Sequence, residues 1–103
     1  MSSVIITGGK PLEDFAKKHP NSRTALETWR TILETGSFQD HVKLKQAFGK
    51  RVDYIRLKKG DFYVFDIGGN KYRIVTVIHF KAQEVFPHYV LTHAEYSTDR
   101  WKL

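Results

Sequence analysis

The chain has 103 residues, 41% hydrophobic and 14% aromatic, with a formal net charge of +6. This describes one domain around one small core, not a disordered chain, and no apolar run nears the ~18 residues of a membrane span. The absence of cysteine excludes disulfides and thiolate metal sites and suits a cytoplasmic protein.

Met1 to Thr7 lack a basic region followed by a long apolar stretch, so no leader peptide is expected. Val4 to Ile6 read as a short first strand, closed by Gly8 and Gly9. Pro11 suits the first position of a helix on which Leu12, Phe15 and Ala16 share a face, and Pro20 stops it. Asn21 or Ser22 is expected to cap a second helix. Its stripe is Ala25, Leu26, Trp29, Ile32 and Leu33, and Gly36 ends it. A short third helix is expected between Phe38 and Phe48, built on Val42 and Leu44 and ended by Gly49.

The period then changes to two. Val52 to Leu57 is a candidate strand, Lys58 to Asp61 a turn, and Phe62 to Ile67 a strand. Gly68, Gly69 and Asn70 make a tight hairpin connection. In the strand Lys71 to Phe80, one face carries Tyr72, Ile74, Thr76, Ile78 and Phe80. The other carries Arg73, Val75, Val77 and His79. Both faces are largely apolar, which marks a central strand. Glu84 to Thr92 follows, with Pro87 marking an edge or a bulge. Ala94 to Leu103 is read as a short helix or turn docked by Tyr96 and Trp101. The expected class is α+β, with N-terminal helices on one face of a small antiparallel sheet and the opposite face free to hold a site.

The charge is concentrated. Residues 41–60 hold seven bases and one acid, and the remaining ten bases and ten acids balance. Such a field attracts a polyanion, nucleic acid first among them; the alternative is a solvated basic surface.

The run Ile67-Gly68-Gly69-Asn70-Lys71-Tyr72-Arg73-Ile74, the block Thr92-His93-Ala94-Glu95-Tyr96 and Trp101 near the end resemble the HigB toxins. These belong to the RelE/ParE-like superfamily of type II toxin–antitoxin systems. The resemblance covers nearly the whole chain, including the helical hairpin with Trp29 and the basic segment before the sheet. It implies a basic ribonuclease, an mRNA interferase, that cleaves mRNA in the ribosomal A site and inhibits translation. It further implies neutralisation by a HigA-like helix-turn-helix antitoxin.

Metal-free cleavage of RNA needs a group to take the 2′ proton, one to protonate the 5′-oxygen, and a cation for the phosphoryl oxygens. His93 is the leading acid/base, because histidine's ordinary pKa of about 6.5 allows either role; the alternative is a hydrogen-bonded strand-end histidine. Arg73, costly inside an apolar strand unless partnered, is the leading phosphate clamp. Its alternative is a salt bridge to Asp66 or Glu95. In related toxins a lysine near the position of Lys58 and Lys59 assists catalysis or holds the RNA backbone. Tyr96 is a candidate to stack on a base or bond a phosphate, or else a packed tail aromatic. Glu95 either orients His93 or is solvated. Lys43, Lys45, Lys50, Arg51, Arg56 and Lys71 are the candidate RNA contacts. Of the other histidines, His19, His41, His79 and His88, only His79 falls on the Arg73 face.

No histidine pair has His-x-x-x-His spacing and no acid cluster supports a metal, so neither metal nor cofactor is expected. Gly68 and Gly69 lack the strand–glycine–helix context of a nucleotide loop. Two competing readings are a gyrase-directed toxin of the ParE-like branch and a plain RNA-binding module with a structural histidine.

Overall fold

Two hydrophobic periods divide the chain, and the fold follows them. The computed structural model describes residues 4–103; the Met1–Ser3 part of the stretch read as leaderless lies outside them. Strand β1 (Ile5–Ile6) leads into helices α1 (Lys10–Lys18), α2 (Arg23–Thr35) and α3 (His41–Phe48). Strands β2 (Val52–Leu57), β3 (Gly60–Ile67), β4 (Tyr72–His79) and β5 (Glu84–Thr92) follow, then helix α4 (His93–Ser97).

The five strands lie in the order β1-β5-β4-β3-β2. From β2 to β5 the sheet is the expected antiparallel meander. β1 differs: it runs parallel to β5, pairing Ile5 with Glu84 and Ile6 with Val85. That pairing spans most of the chain and leaves no local signal in either segment. Between β4 and β5 the register shifts, with Val75 opposite Tyr89 and Thr76 opposite Pro87. His88 is therefore the extra residue of a bulge, which accommodates a proline that has no N–H to give the ladder.

The helices cover one face of the sheet through the stripe expected for α2. Trp29 is 1% exposed and meets Phe65 edge-on at 5.4 Å, with Leu33, Leu44, Val52 and Ile74 around them. Truncating a buried tryptophan of this kind costs about 3–5 kcal/mol.

Three details differ from the expectations. Ser22 does not cap α2. Its buried hydroxyl donates to the His19 carbonyl at 2.6 Å, inside a 3-10 turn over Pro20–Ser22. Gly36 ends α2 through close approach rather than a left-handed conformation: its φ is −105°, and a Cβ there would sit 2.9 Å from the Phe38 ring. The far face of the sheet is not wholly free. Phe62, Val64, Val75 and Trp101 form a second small core there, flanked by Ile55, Leu57, Val77, Leu91 and Tyr96. The tail packs on this face through Trp101, flanked by Tyr96. Among the described residues, no helix is long and apolar enough to cross a membrane.

Candidate active site

The β3–β4 hairpin turns through three consecutive left-handed residues, Gly68 (φ 62°), Gly69 (φ 63°) and Asn70 (φ 74°). Gly68 is required twice over, since a Cβ would also lie 2.8 Å from the Tyr72 ring. The turn sets Asp66 opposite Arg73 in the ladder, both on the far face.

Arg73 is 9% exposed. Its Nη1 donates to Asp66 Oδ1 at 3.1 Å and to the carbonyls of Asn70 and Tyr72, each at 3.2 Å. Its Nη2 donates to Asn70 Oδ1 at 2.6 Å and to His93 Nδ1 at 3.1 Å. Each Nη carries two hydrogens, so both terminal nitrogens are fully engaged. Only Nε–H has no protein acceptor among the described residues.

Helix α4 delivers the histidine. Thr92 Oγ1 accepts from Glu95 N at 3.1 Å, and Glu95 Oε1 accepts from Thr92 N at 2.9 Å. This reciprocal capping box fixes where β5 stops and α4 starts. His93 is thus the first residue of α4, and its backbone N–H donates to Lys71 O at 2.9 Å. Glu95 is committed to the cap and does not orient His93, and the helix begins one residue before the expected Ala94.

His93 is exposed, and the contact with Arg73 determines its tautomer. A guanidinium only donates, so Nδ1 accepts and the neutral ring carries its proton on Nε2. That Nε2–H is the ring atom left for a ligand.

Tyr96, one turn along α4, lies with its ring 5.3 Å from Arg73 Cζ and stacks on Trp101 at 5.2 Å. Burial pushes the Tyr96 phenol above its ordinary pKa and nearby Asp53 adds to this, against the opposing charge of Arg73. The hydroxyl therefore stays protonated at neutral pH and is a donor.

The lysines of the β2–β3 turn diverge. Lys59 Nζ donates to Trp101 O at 2.6 Å and Leu103 O at 3.0 Å, and lies over the Phe62 and Tyr89 rings. It anchors the tail on the far face. Lys58 is exposed and makes no hydrogen bond or ion pair among the described residues.

The basic segment is not all in one place. Arg56 shares the helix-side face of β2 with Val52 and pairs with Asp61 at 3.8 Å. Lys43 and Lys45 ride on α3, where Lys45 Nζ donates to Val52 O at 2.8 Å. Arg51 lines a groove of about 590 Å³ between α2 and the hairpin, together with Trp29, Phe48, Asn70, Lys71 and Tyr72. That groove lies behind the hairpin and includes neither Arg73 nor His93. Lys50 and Lys71 are exposed, Lys71 beside the Arg73–His93 pair. His79 is on the Arg73 face but packs on Phe86 at 5.1 Å. Six residues along a strand place it roughly 20 Å from Arg73.

Asn70 is the residue that the sequence reading treated only as a turn. Its signal was asparagine's tolerance of left-handed φ directly before a strand carrying a buried arginine.

Residues 22–99 match the HigB_toxin family, described as the RelE-like toxic component of a toxin–antitoxin system. The chain is 34% identical over 87 residues to the mRNA interferase toxin HigB of Escherichia coli K12, covering 84% of this chain and 82% of that one. The mRNA interferase HigB of Shigella flexneri matches to the same extent. That of Escherichia coli O6:H1 is 30% identical over 86 residues, with the same coverage. With the family matched over most of its length and relatives of this identity, the chain belongs to the HigB_toxin family, RelE-like toxins of toxin–antitoxin systems.

Proposed function

We propose that the protein is an mRNA interferase, an endoribonuclease that cuts messages by attack of a 2′-hydroxyl on the adjacent phosphorus without a metal ion. The observation that carries this is the 3.1 Å contact between Arg73 and the exposed His93. It joins a fixed cation to an exposed imidazole whose other ring nitrogen has no protein partner among the described residues. The names of the relatives, mRNA interferases, supply the substrate class.

In this reading the 2′-oxygen attacks phosphorus and the bond to the 5′-oxygen breaks, leaving a 2′,3′-cyclic phosphate and a 5′-hydroxyl. The 2′ proton passes through solvent water to the departing 5′-oxygen, while His93 Nε2–H donates a hydrogen bond to a phosphoryl oxygen and keeps its proton. Arg73 behind the ring polarises that N–H and offsets negative charge as it develops. A neutral imidazole acting as an electrophile has precedent in other enzymes. Tyr96, held protonated, gives a second donor through its hydroxyl, while its ring is already engaged by Trp101 and Arg73. Lys59 holds the tail and Lys58 is left free, but the β2–β3 turn lies at the end of β3 away from the hairpin, roughly 20 Å from Arg73, so Lys58 can hold the RNA backbone only at a distance from the cut phosphate. Lys43, Lys50, Arg51 and Lys71 follow the phosphates without reading sequence, and Lys45 and Arg56 join them only by leaving their present partners. The partner set is mRNA on the ribosome, in the A site, and a HigA-like helix-turn-helix antitoxin, all in the cytoplasm.

The test is 5′-end mapping of cellular mRNA after induction of the wild type and of His93→Ala. New ends and growth arrest are expected from the first only, with cutting by purified protein unaffected by a chelator. Equal cleavage by the His93→Ala chain overturns the assignment.

A further inference from the structure

We infer that Asn70 is a positioning residue of this site: it locks the Arg73 guanidinium so that Arg73 holds His93 with Nδ1 accepting and the proton on Nε2. The inference rests on the nuclease reading for its kinetic consequence only; its geometry stands by itself.

The hydrogens on Arg73 Nη2 number two, and they have two acceptors, Asn70 Oδ1 at 2.6 Å and His93 Nδ1 at 3.1 Å. These compete for nothing while both are present. Without Oδ1, one hydrogen is left to solvent, since Asn70 is exposed, and the guanidinium plane loses the bond that opposes rotation away from His93. The Asn70 carbonyl also accepts from Nη1 at 3.2 Å, so one residue grips both ends of the fork. The side chain must be an oxygen at that contact, since two donors would repel.

The backbone is arranged for this grip. Asn70 holds φ at 74°, a conformation that asparagine tolerates better than most residues but that glycine adopts freely. Two glycines precede it in the same region, so the turn itself does not need an asparagine here. Left-handed conformations at non-glycine positions gather at functional sites. The Asn70 side chain reaches Arg73 and, through it, an imidazole twenty-three positions along the chain. Asp66 complements the arrangement by binding Nη1 alone; it neutralises the fork but does not fix Nη2.

Asn70→Gly keeps the turn and the carbonyl bond and deletes only Oδ1. Asn70→Asp keeps an acceptor at the same place. The full-length chain is labelled with ¹⁵N, and the Arg73 Nη and His93 ring nitrogens are observed by NMR without RNA. Slowed, separate Nη signals and an unprotonated Nδ1 are expected in the wild type and in Asn70→Asp. In Asn70→Gly the Nη signals merge and Nδ1 drifts toward the average of two exchanging tautomers. With RNA, Asn70→Gly is expected to lose about tenfold or more in kcat, a fraction of the roughly 10²–10⁴ that a placed acid or base supplies. KM stays within about threefold, and Asn70→Asp recovers most of the loss.

If Asn70→Gly is folded and keeps the wild-type Nη and Nδ1 signals, the inference fails. It also fails if the signals change but kcat does not while the wild type cleaves RNA. If the signals change as expected but neither the wild type nor any variant cuts RNA, the positional inference holds and the nuclease reading falls.

Discussion

Replacing Arg73 by lysine keeps the charge and removes the fork, and its cost follows from the acceptors. The terminal nitrogens of Arg73 meet Asp66 Oδ1, the Asn70 and Tyr72 carbonyls, Asn70 Oδ1 and His93 Nδ1. A lysine ammonium has three donors on one atom and cannot span these positions. At least two acceptors lose their partner. A buried acceptor left unpaired costs about 1–3 kcal/mol. The Asp66 side chain is 29% exposed, and Asn70 and His93 are exposed residues, so water restores part of the loss, and the low end applies, about 2 kcal/mol in total. For a domain of this size that is roughly an 8–16 °C fall in Tm. Thermal unfolding by circular dichroism measures it, in chains with and without His93→Ala. The two changes share a hydrogen bond, so their effects should fail to add by about 0.5–1.5 kcal/mol. A Tm fall below about 3 °C, or additivity within roughly 0.3 kcal/mol, refutes the hydrogen-bond count on which the site rests.

Gly68→Ala and Gly69→Ala meet the same left-handed strain, φ 62° and 63°, at about 1–2 kcal/mol each. Only Gly68→Ala also brings a Cβ within 2.8 Å of the Tyr72 ring, so urea denaturation should show it the less stable; equal midpoints would contradict the packing described. Three phenols, Tyr54, Tyr63 and Tyr96, have raised pKa values, led by the bond to Asp61 for Tyr54 and by burial for the other two. The folded chain therefore binds more protons than the unfolded chain above pH ~10, and stability falls as pH rises through that range. Tyr96→Phe should make the fall shallower between pH 9 and 11, as read by denaturant midpoints, and an unchanged slope would place Tyr96 in open solvent. Contacts from about four of Lys43, Lys50, Arg51, Lys58 and Lys71 to single-stranded RNA predict a log–log salt slope of roughly −3. Filter binding of the His93→Ala chain at several salt concentrations reads it, and a slope near zero removes these side chains from the interface.

The fold was legible wherever burial imposes a period. The α2 stripe and the two faces of β4 follow directly from residue spacing, because each face meets a different core. Pro87 announced the bulge because it lacks an N–H. The parallel pairing of β1 was not legible. Two residues carry no period, and their partners at Glu84 and Val85 are fixed by how the whole domain closes. Ser22 was misread for a related reason: a serine before a helix is a good cap only if the preceding chain does not offer its hydroxyl a carbonyl, and His19 does. The packing on the far face turned on Trp101, a single aromatic whose docking against Phe62 and Tyr96 no local pattern encodes.

The site divides along the same line. An arginine in an apolar strand must have a partner, so sequence alone demanded one for Arg73, and the two acids considered were Asp66 and Glu95. Asp66 bonds it; Glu95 is occupied by a cap that Thr-x-x-Glu spells out plainly at residues 92–95. Reading that block as chemistry concealed that it is also the device that turns the chain and presents His93. Whether Arg73 meets a phosphate or an imidazole is a further question, one of hydrogens and directions. The charge of the guanidinium is available to a phosphate at any orientation, but its four terminal hydrogens are already directed by Asp66, Asn70, Tyr72 and His93. A phosphoryl oxygen seeking a direct bond must therefore use Nε–H or displace one of these acceptors, whereas His93 Nε2–H is open at once. On the proposed function, the histidine is therefore the group that an incoming strand would meet first, with the guanidinium charge behind it.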